Sequence, residues 1–362
     1  MPQDLFNQCT SFYQYTLSEL GELLSPAEAA KSVSPRMKAP TGGARLLFQW
    51  HYRRNRRDLC NHHNLSRRSR EILARHLTFD RPLIKTVKQS ADRTVKFLFE
   101  FADGHSVETV LIPFAGKYTA CLSSQVGCAM RCSFCLTGTQ GLVRNLRTEE
   151  IVGQFIEAKR WLQENRPDDC RLLNVVFMGQ GEPLQNFTSV KKAVQIFLEP
   201  CGLGLSPAKV TVSTAGYVPG LRRWKHEMPP VNLAFSLHAA SDEKRNRLVP
   251  LNRKYPLGEI FSILDGWPLG KKRFVTFEMI LIKGCNDSLA DAQATARLLL
   301  GRPAMVNLIP VNGFPGSVYE KPDEATIQRY KDVLASFGVP ATIRRAKGDE
   351  ILAACGQLKS QE

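Results

Sequence analysis

The chain has 362 residues, 43% of them hydrophobic and 23% charged, which excludes a disordered or fibrous polymer and suits one large domain with a smaller companion. No apolar stretch is long enough to cross a bilayer, and Asp4 comes early with no apolar run behind it; the expected setting is cytoplasmic, with no signal peptide and no membrane partner. Lys and Arg number 49 against 34 Asp and Glu, for a net charge of +15, which favours a polyanion such as nucleic acid as partner.

Residues 1–90 read as a small helical domain with a basic face. Ser25-Pro26-Ala27-Glu28 has the capping-box pattern with Pro at the first helical position, and predicts a helix start there. Residues 45–75 hold nine arginines, among them Arg53, Arg54, Arg56, Arg57, Arg67, Arg68 and Arg70, against Asp58 and Glu71. Trp50, Tyr52, His62 and His63 are interleaved with them, and the segment is expected to grip nucleic-acid phosphates.

Residues 91–116 contain RTVKFLFEFADGHSVETVLIP, two strand patterns around an Asp103-Gly104 turn, expected as a β-hairpin connecting two domains. From 117 to 350 strands alternate with helices. The strand candidates are YTACLSSQ, LNVVFMG, KVTVSTAG, VNLAFSLHA, RFVTFEMILI, AMVNLIPVN and ATIRRA. A helix opened by Thr148 carries Glu149 and Glu150 in its first turn, with Ile151, Phe155, Ala158 and Leu162 as its core face. Near-continuous apolar strands separated by helices predict an α/β fold, a partial or full (β/α) barrel. Residues 351–362 form a C-terminal tail carrying Cys355, polar after that cysteine and expected to be loose.

The ten cysteines, without a secretory signal, read as metal or redox chemistry rather than a disulfide framework. Cys128-Ala-Met-Arg-Cys132-Ser-Phe-Cys135 places three thiols in a loop after a strand, able to converge on one metal centre. Unligated buried thiols and zinc with a distant fourth ligand are the alternatives. Polar groups recur at strand ends: Glu182 after the turn Gly179-Gln180-Gly181, then Ser213 and Thr214, Ser236 with Leu237 and His238, and Asn312. In a parallel barrel these ends face one mouth.

CxxxCxxC after the first strand of such an array resembles the signature of radical S-adenosylmethionine (SAM) enzymes. That resemblance implies a barrel of the radical-SAM type, with a [4Fe-4S] cluster on Cys128, Cys132 and Cys135 and SAM on its open iron. More specifically, CLSSQVGCAMRCSFCLTGTQGLVRNL, MGQGEPLQN, VTVSTAG, SLHAASDEKRNRLVPLNRKYP, NLIPVNGFPG and AACGQL resemble the RlmN family of adenine-C2 RNA methyltransferases across roughly residues 93 to 358. The resemblance implies SAM contacts at Gly181, Glu182, Ser213, Ser236, Leu237, His238 and Asn312. It implies that Cys355 accepts a methyl group from one SAM, and that a radical from a second SAM activates that methyl for addition to adenine C2. Glu108 would then remove the C2 proton, and Cys121 would release the product by forming a disulfide with Cys355. The implied partners are 23S ribosomal RNA, the transfer RNA adenosine 3′ of the anticodon, and an electron donor such as flavodoxin or ferredoxin.

Two departures from the family pattern stand out. Gln180 occupies a position where the family commonly has methionine, an exchange expected to alter the adenine side of the SAM pocket, and PFAGKY replaces a more charged run. The nearest rival activity is methylation of adenine C8. Val126 before the cluster motif resembles the C2 enzymes, since C8 relatives often carry cysteine there. A non-catalytic iron–sulfur RNA-binding protein would have no use for Glu108, Cys121 and Cys355 together.

Overall fold

The computed structural model describes residues 9–28, 42–56, 65, 67–270 and 273–360. Arg57, His62, His63 and the side chain of Arg68 lie outside the described residues. No helix among the described residues is long and apolar enough to cross a membrane.

One ten-stranded sheet organises the chain, with its strands side by side in sequence order. The first four are β1 (Leu83–Gln89), β2 (Val95–Glu100), β3 (Ser106–Phe114) and β4 (Lys117–Cys121), each antiparallel to the one before. Then follow β5 (Leu172–Phe177), β6 (Val210–Thr214), β7 (Asn232–Ser236), β8 (Val275–Leu281), β9 (Ala304–Pro310) and β10 (Ala341–Ile343). From β4 to β10 every neighbour pair is parallel. Each crossover is a helical connection, which lays the next strand beside the last because right-handed βαβ units build a sheet in one direction. Val175, Val212, Phe235, Met279 and Leu308 are fully buried along these strands, as a sheet covered on its outer face requires. Strands β1 and β10 are the two ends of the sheet, so the barrel is partial.

The first crossover helix, α4 (Thr148–Asn165), follows three shorter helices, α1 (Leu17–Glu28), α2 (Gly42–Phe48) and α3 (Arg67–His76). Ile151, Phe155, Ala158 and Leu162 are all buried, the face the heptad-like spacing predicts. The helix is capped one residue earlier than Thr148, where the Arg147 backbone N–H donates to Glu150 Oε2 at 2.8 Å. Phe155 meets Phe197 of the next crossover helix with ring centroids 5.2 Å apart. The N-terminal helices lean on this layer through Arg81, whose Nη1 lies 3.2 Å from Glu157 Oε1 with both side chains almost fully buried.

Four expectations need correction. The helix expected to begin at Ser25 begins at Leu17 and runs through Ser25-Pro26. An earlier capping box wins: Glu19 Oε2 accepts the Thr16 N–H at 2.8 Å and Thr16 Oγ1 accepts the Glu19 N–H at 3.4 Å. Residues 83–89, read with the helical part, form strand β1, since Ile84, Thr86 and Val87 are β-branched and fit a half-exposed edge. A short antiparallel hairpin, Gln125–Gly127 with Leu142–Asn145, flanks the cysteine loop unannounced. Gly127 has φ +73°, and a Cβ there would stand 1.9 Å from Gly141 O, so only glycine fits.

The fourth correction concerns the tail, which is docked rather than loose. Ser90 Oγ donates to Glu350 Oε1 and Gly348 N to Asp92 Oδ2, at 2.6 and 3.2 Å. Thr137 Oγ1 donates to Leu358 O at 2.6 Å, and Ser360 Oγ to Ser106 O at 2.7 Å. The segment thereby crosses from the β10 end of the sheet to the β1–β2 turn and the β3 strand.

Phe155→Ala empties a fully enclosed site between two helices. It should lower unfolding stability by about 3–5 kcal/mol in denaturant titration, and a loss under about 1 kcal/mol would contradict this packing.

Candidate functional site

The carboxyl ends of the parallel strands surround a cavity of about 160 Å³. Cys128, Cys132 and Cys135 form one wall, in the loop between β4 and α4. Gly181 and Glu182 reach it from the end of β5, Ser213 from β6, Ser236 and His238 from β7, and Cys355 from the C-terminal segment. Leu237 and Asn312 do not line it. Leu237 is in the core, its carbonyl accepting from Arg245 Nε at 2.9 Å. Asn312 lines an adjoining cavity and donates to Cys355 O at 3.2 Å, so it touches the cysteine's backbone.

Burial governs the three thiols. It pushes Cys128 up to about 12, and raises Cys132 and Cys135, with the neighbouring sulfurs adding to the shift on Cys132. Three thiols in one wall, Cys128 buried and Cys132 and Cys135 half-buried, favour the protonated form unless positive charge enters among them, and a metal centre does that. Among the described residues no group of three His, Cys, Asp or Glu is arranged to hold a single metal ion. The donor set, three soft sulfurs beside an open cavity, fits an iron–sulfur cluster with one iron left to a ligand.

Glu182 is buried, its Oε1 accepting the Leu184 N–H at 3.0 Å and its Oε2 the Ala215 N–H at 2.7 Å. These donors orient the carboxylate without neutralising it, and burial pushes it up to about 7. A ligand bearing an ammonium group would supply the missing charge. The glycines beside it allow close packing of the chain. A Cβ on Gly179 would fall 2.7 Å from Leu122 O, and one on Gly181 2.6 Å from Gln125 Cβ. The turn is glycine-rich so that it can pack on the exit of β4, while Gly179 and Gly181 also line the larger cavity.

His238 takes the left-handed conformation, φ +60°. Its Nδ1 accepts the Ile280 N–H at 3.1 Å, which fixes the neutral ring with its proton on Nε2. Burial, then the charge of Arg245, pushes it down to about 3, so it acts as a neutral hydrogen-bond donor. Arg245, absent from the sequence reading, is fully buried and donates to Leu237 O, Ser236 O, Ala215 O and Asn252 Oδ1. It ties the ends of β6 and β7 together behind the cavity. Its place in a helix of charged residues, Asp242–Leu248, gave no signal of burial.

Cys121 and Cys355 line a second, smaller cavity of about 30 Å³ with Met178 and Arg344. Cys355 and Arg344 border both cavities. Burial, then the nearness of Cys355, pushes Cys121 up to about 12, with Arg344 opposing.

Glu108 lies on β3 under the C-terminal segment and does not line the larger cavity. It pairs with Lys96 of β2, Oε1 to Nζ 2.7 Å, and its Oε2 accepts the Lys359 N–H at 2.8 Å. Burial raises its pKa against the lowering effect of Lys96. The hairpin register could have revealed the partner: Lys96 stands opposite Val110 and Leu98 opposite Glu108, so the two charges are diagonal neighbours on one face. The Gln180 side chain also points here and away from the larger cavity. Its Oε1 accepts from Glu108 N at 2.8 Å and Ser360 Oγ at 3.0 Å, and its Nε2 donates to Gln140. Its exchange for methionine therefore bears on the tail, not on the ligand pocket.

The chain is similar to known proteins. The radical SAM superfamily model matches residues 122–298. A protein of Rhodopseudomonas palustris (strain HaA2) called dual-specificity RNA methyltransferase RlmN is 45% identical over 353 residues, covering 93% of this chain and 88% of its own. A protein of the same name from Paramagnetospirillum magneticum is 44% identical over 324 residues, covering 88% of this chain and 71% of its own. The crystal structure of a radical SAM methyltransferase from Sphaerobacter thermophilus is 40% identical and superposes with a TM-score of 0.86, covering 97% of this chain and 99% of that one.

Glu182 offers a pH test. Its folded value, about 7, lies above the ordinary 4.5, so its charged form costs stability that sets in as pH rises from the lower value to the higher. In the ligand-free protein, isotope-edited infrared titration should find a carboxyl midpoint near 7 that is absent in Glu182→Gln and falls when an ammonium-bearing ligand binds. A native protein with every carboxyl titrating below about 5 would contradict it.

Proposed function

Because the chain belongs to the RlmN family of radical SAM RNA methyltransferases, we propose that it methylates C2 of an adenosine in 23S ribosomal RNA, and the adenosine 3′ of the transfer RNA anticodon. The observation that supports this most is the pair of adjoining cavities: three cysteines and Glu182 in one, Cys121 in the other, and Cys355 bordering both.

In this reading Cys128, Cys132 and Cys135 hold a [4Fe-4S] cluster, Glu182 receives the ammonium of SAM, and His238 donates from Nε2. With SAM bound, such a cluster would supply the electron that generates a carbon radical, itself drawn from a donor such as flavodoxin or ferredoxin. Two SAM molecules are consumed per turnover. Adenine C2 is a poor nucleophile, so ordinary displacement at SAM serves the Cys355 sulfur instead, which becomes methylated. Once the methyl carbon, having given one hydrogen atom to the SAM-derived radical, has added to C2, the adduct would give up one electron to the same redox centre and Glu108 would take the C2 proton. The Cys121 sulfur then attacks the Cys355 sulfur. An S–S bond forms, the S–C bond breaks with its electron pair going to carbon, and that carbon gains a proton to become the methyl group. Both thiols end oxidised, and an external dithiol must reduce them before the next turnover.

The basic N-terminal face is assigned to RNA phosphates through the exposed Arg45, Arg54 and Arg56. Arg53 has another task, donating from Nε to Gly202 O at 3.3 Å, and Arg67 is paired with Glu71. Binding that weakens steeply with salt is expected, whereas salt-independent binding would contradict this assignment.

The deciding experiment is anaerobic cluster reconstitution followed by incubation with SAM, reductant and 23S or transfer RNA, with nucleosides read by mass spectrometry. 2-Methyladenosine is expected, and Cys355→Ala should abolish it. 8-Methyladenosine, or C2 methylation that survives Cys355→Ala, would overturn the reading.

A further inference from the structure

Glu108 and Lys96 do more than pair with each other. Each side chain is 8% exposed, and each spends its remaining hydrogen-bonding capacity on the backbone of the C-terminal segment. Lys96 Nζ donates to Leu352 O at 3.1 Å, and Glu108 Oε2 accepts from Lys359 N at 2.8 Å. Leu352 and Lys359 stand on either side of Cys355. Between them the chain bends through two left-handed residues, Leu352 at φ +52° and Gly356 at φ +85°. A non-glycine residue in that region is strained and holds only where its surroundings fix it. One ion pair thus fastens both ends of the bend that presents Cys355 to the two cavities.

We propose that Lys96 is a positioning residue, that its pair with Glu108 clamps the Cys355 segment, and that protonation of Glu108 releases the clamp at the step where Cys355 must meet Cys121. The inference rests on the reading of Glu108 as acceptor of the C2 proton. The balance is simple: the proton leaving C2 becomes the carboxyl proton of Glu108, and the electron pair stays with the adenine. Lys96 is then a buried ammonium without a counter-charge, and a neutral carboxyl is a weaker acceptor for the Lys359 N–H than a carboxylate. Both anchors weaken together. The contacts of Leu136 N with Gly356 O and Thr137 Oγ1 with Leu358 O carry no charge that changes, so the segment loosens without leaving the barrel. Chemistry at the base is thereby coupled to the sulfur attack that ends the cycle, and a premature Cys121–Cys355 disulfide is held back while Glu108 is ionised.

Hydrogen exchange by mass spectrometry on the full, cluster-loaded chain, without RNA, tests the clamp. Peptides covering 353–360 are compared among the native protein, Glu108→Gln, Lys96→Met and Lys96→Arg. Glu108→Gln, a near-isosteric copy of the protonated state, and Lys96→Met should each speed exchange there about tenfold, with Val275–Leu281 unchanged as the folding control. Lys96→Arg keeps the charge and should restore most of the protection, which a purely steric role for Lys96 would not allow. Diamide should close the Cys121–Cys355 disulfide faster in Glu108→Gln than in the native chain. Native exchange rates in both Glu108→Gln and Lys96→Met would overturn the proposal. Because no RNA is present, a loosened segment in a protein that makes no methylated adenine would retain the clamp and remove the functional reading.

Discussion

Glu108 and Lys96 are both withdrawn from water, and either charge alone in that place would cost several kcal/mol. They are tolerable because each completes the other, and because both find further partners in the backbone of residues 352 and 359. The position of Cys355 follows from that arrangement. So does the closure of the sheet's open side, since the same segment spans from the β10 end to the β1–β2 turn. Gln180 reinforces the junction from below, joining the Glu108 backbone, Ser360 and Gln140. The hairpin, first read as a connector between domains, is the platform on which the C-terminal segment rests.

The rest of the site is a consequence of parallel strands. Their carboxyl ends all face one mouth, so Glu182, Ser213, Ser236 and His238 reach a common cavity although they are far apart in sequence. What distinguishes them there is environment. Glu182 is held by two backbone N–H groups with no neutralising charge, while His238 is fixed as a neutral donor by the Ile280 N–H. Arg245 sits behind both, holding strand ends together through carbonyl oxygens.

Much of this was legible in the residues. Near-continuous apolar runs marked the central parallel strands, because a strand buried on both faces has no polar alternation to hide it, whereas the end strand β10 is only half-buried. Asp103-Gly104 gave the hairpin, and the cysteine spacing gave the cavity wall. The failures have physical causes. Ser25-Pro26 is a good helix-start pattern, but Thr16, closed by Glu19, forms the actual cap further upstream, at the head of the apolar stripe of Leu17, Leu20 and Leu24. The tail was judged by its polarity, yet its polar groups are spent on Thr137, Glu108 and Gln180, partners no local pattern could supply. Gly179 and Gly181 stand where Leu122 and Gln125 come too close for any side chain, a requirement set by strands distant in sequence. Lys96 is legible only through the hairpin register, which sets it diagonal to Glu108, since a lone lysine in a strand carries no sign of burial.

The proposed function turns on Cys355 as the carrier of the methyl group between SAM and RNA. The most direct test is to incubate the cluster-loaded enzyme with SAM before any RNA is added, and to weigh the Cys355 peptide by mass spectrometry. The account predicts one methyl group on the Cys355 sulfur, passed to adenine once RNA and reductant follow. An unmodified Cys355 peptide from a preparation that goes on to methylate adenine C2 would contradict it.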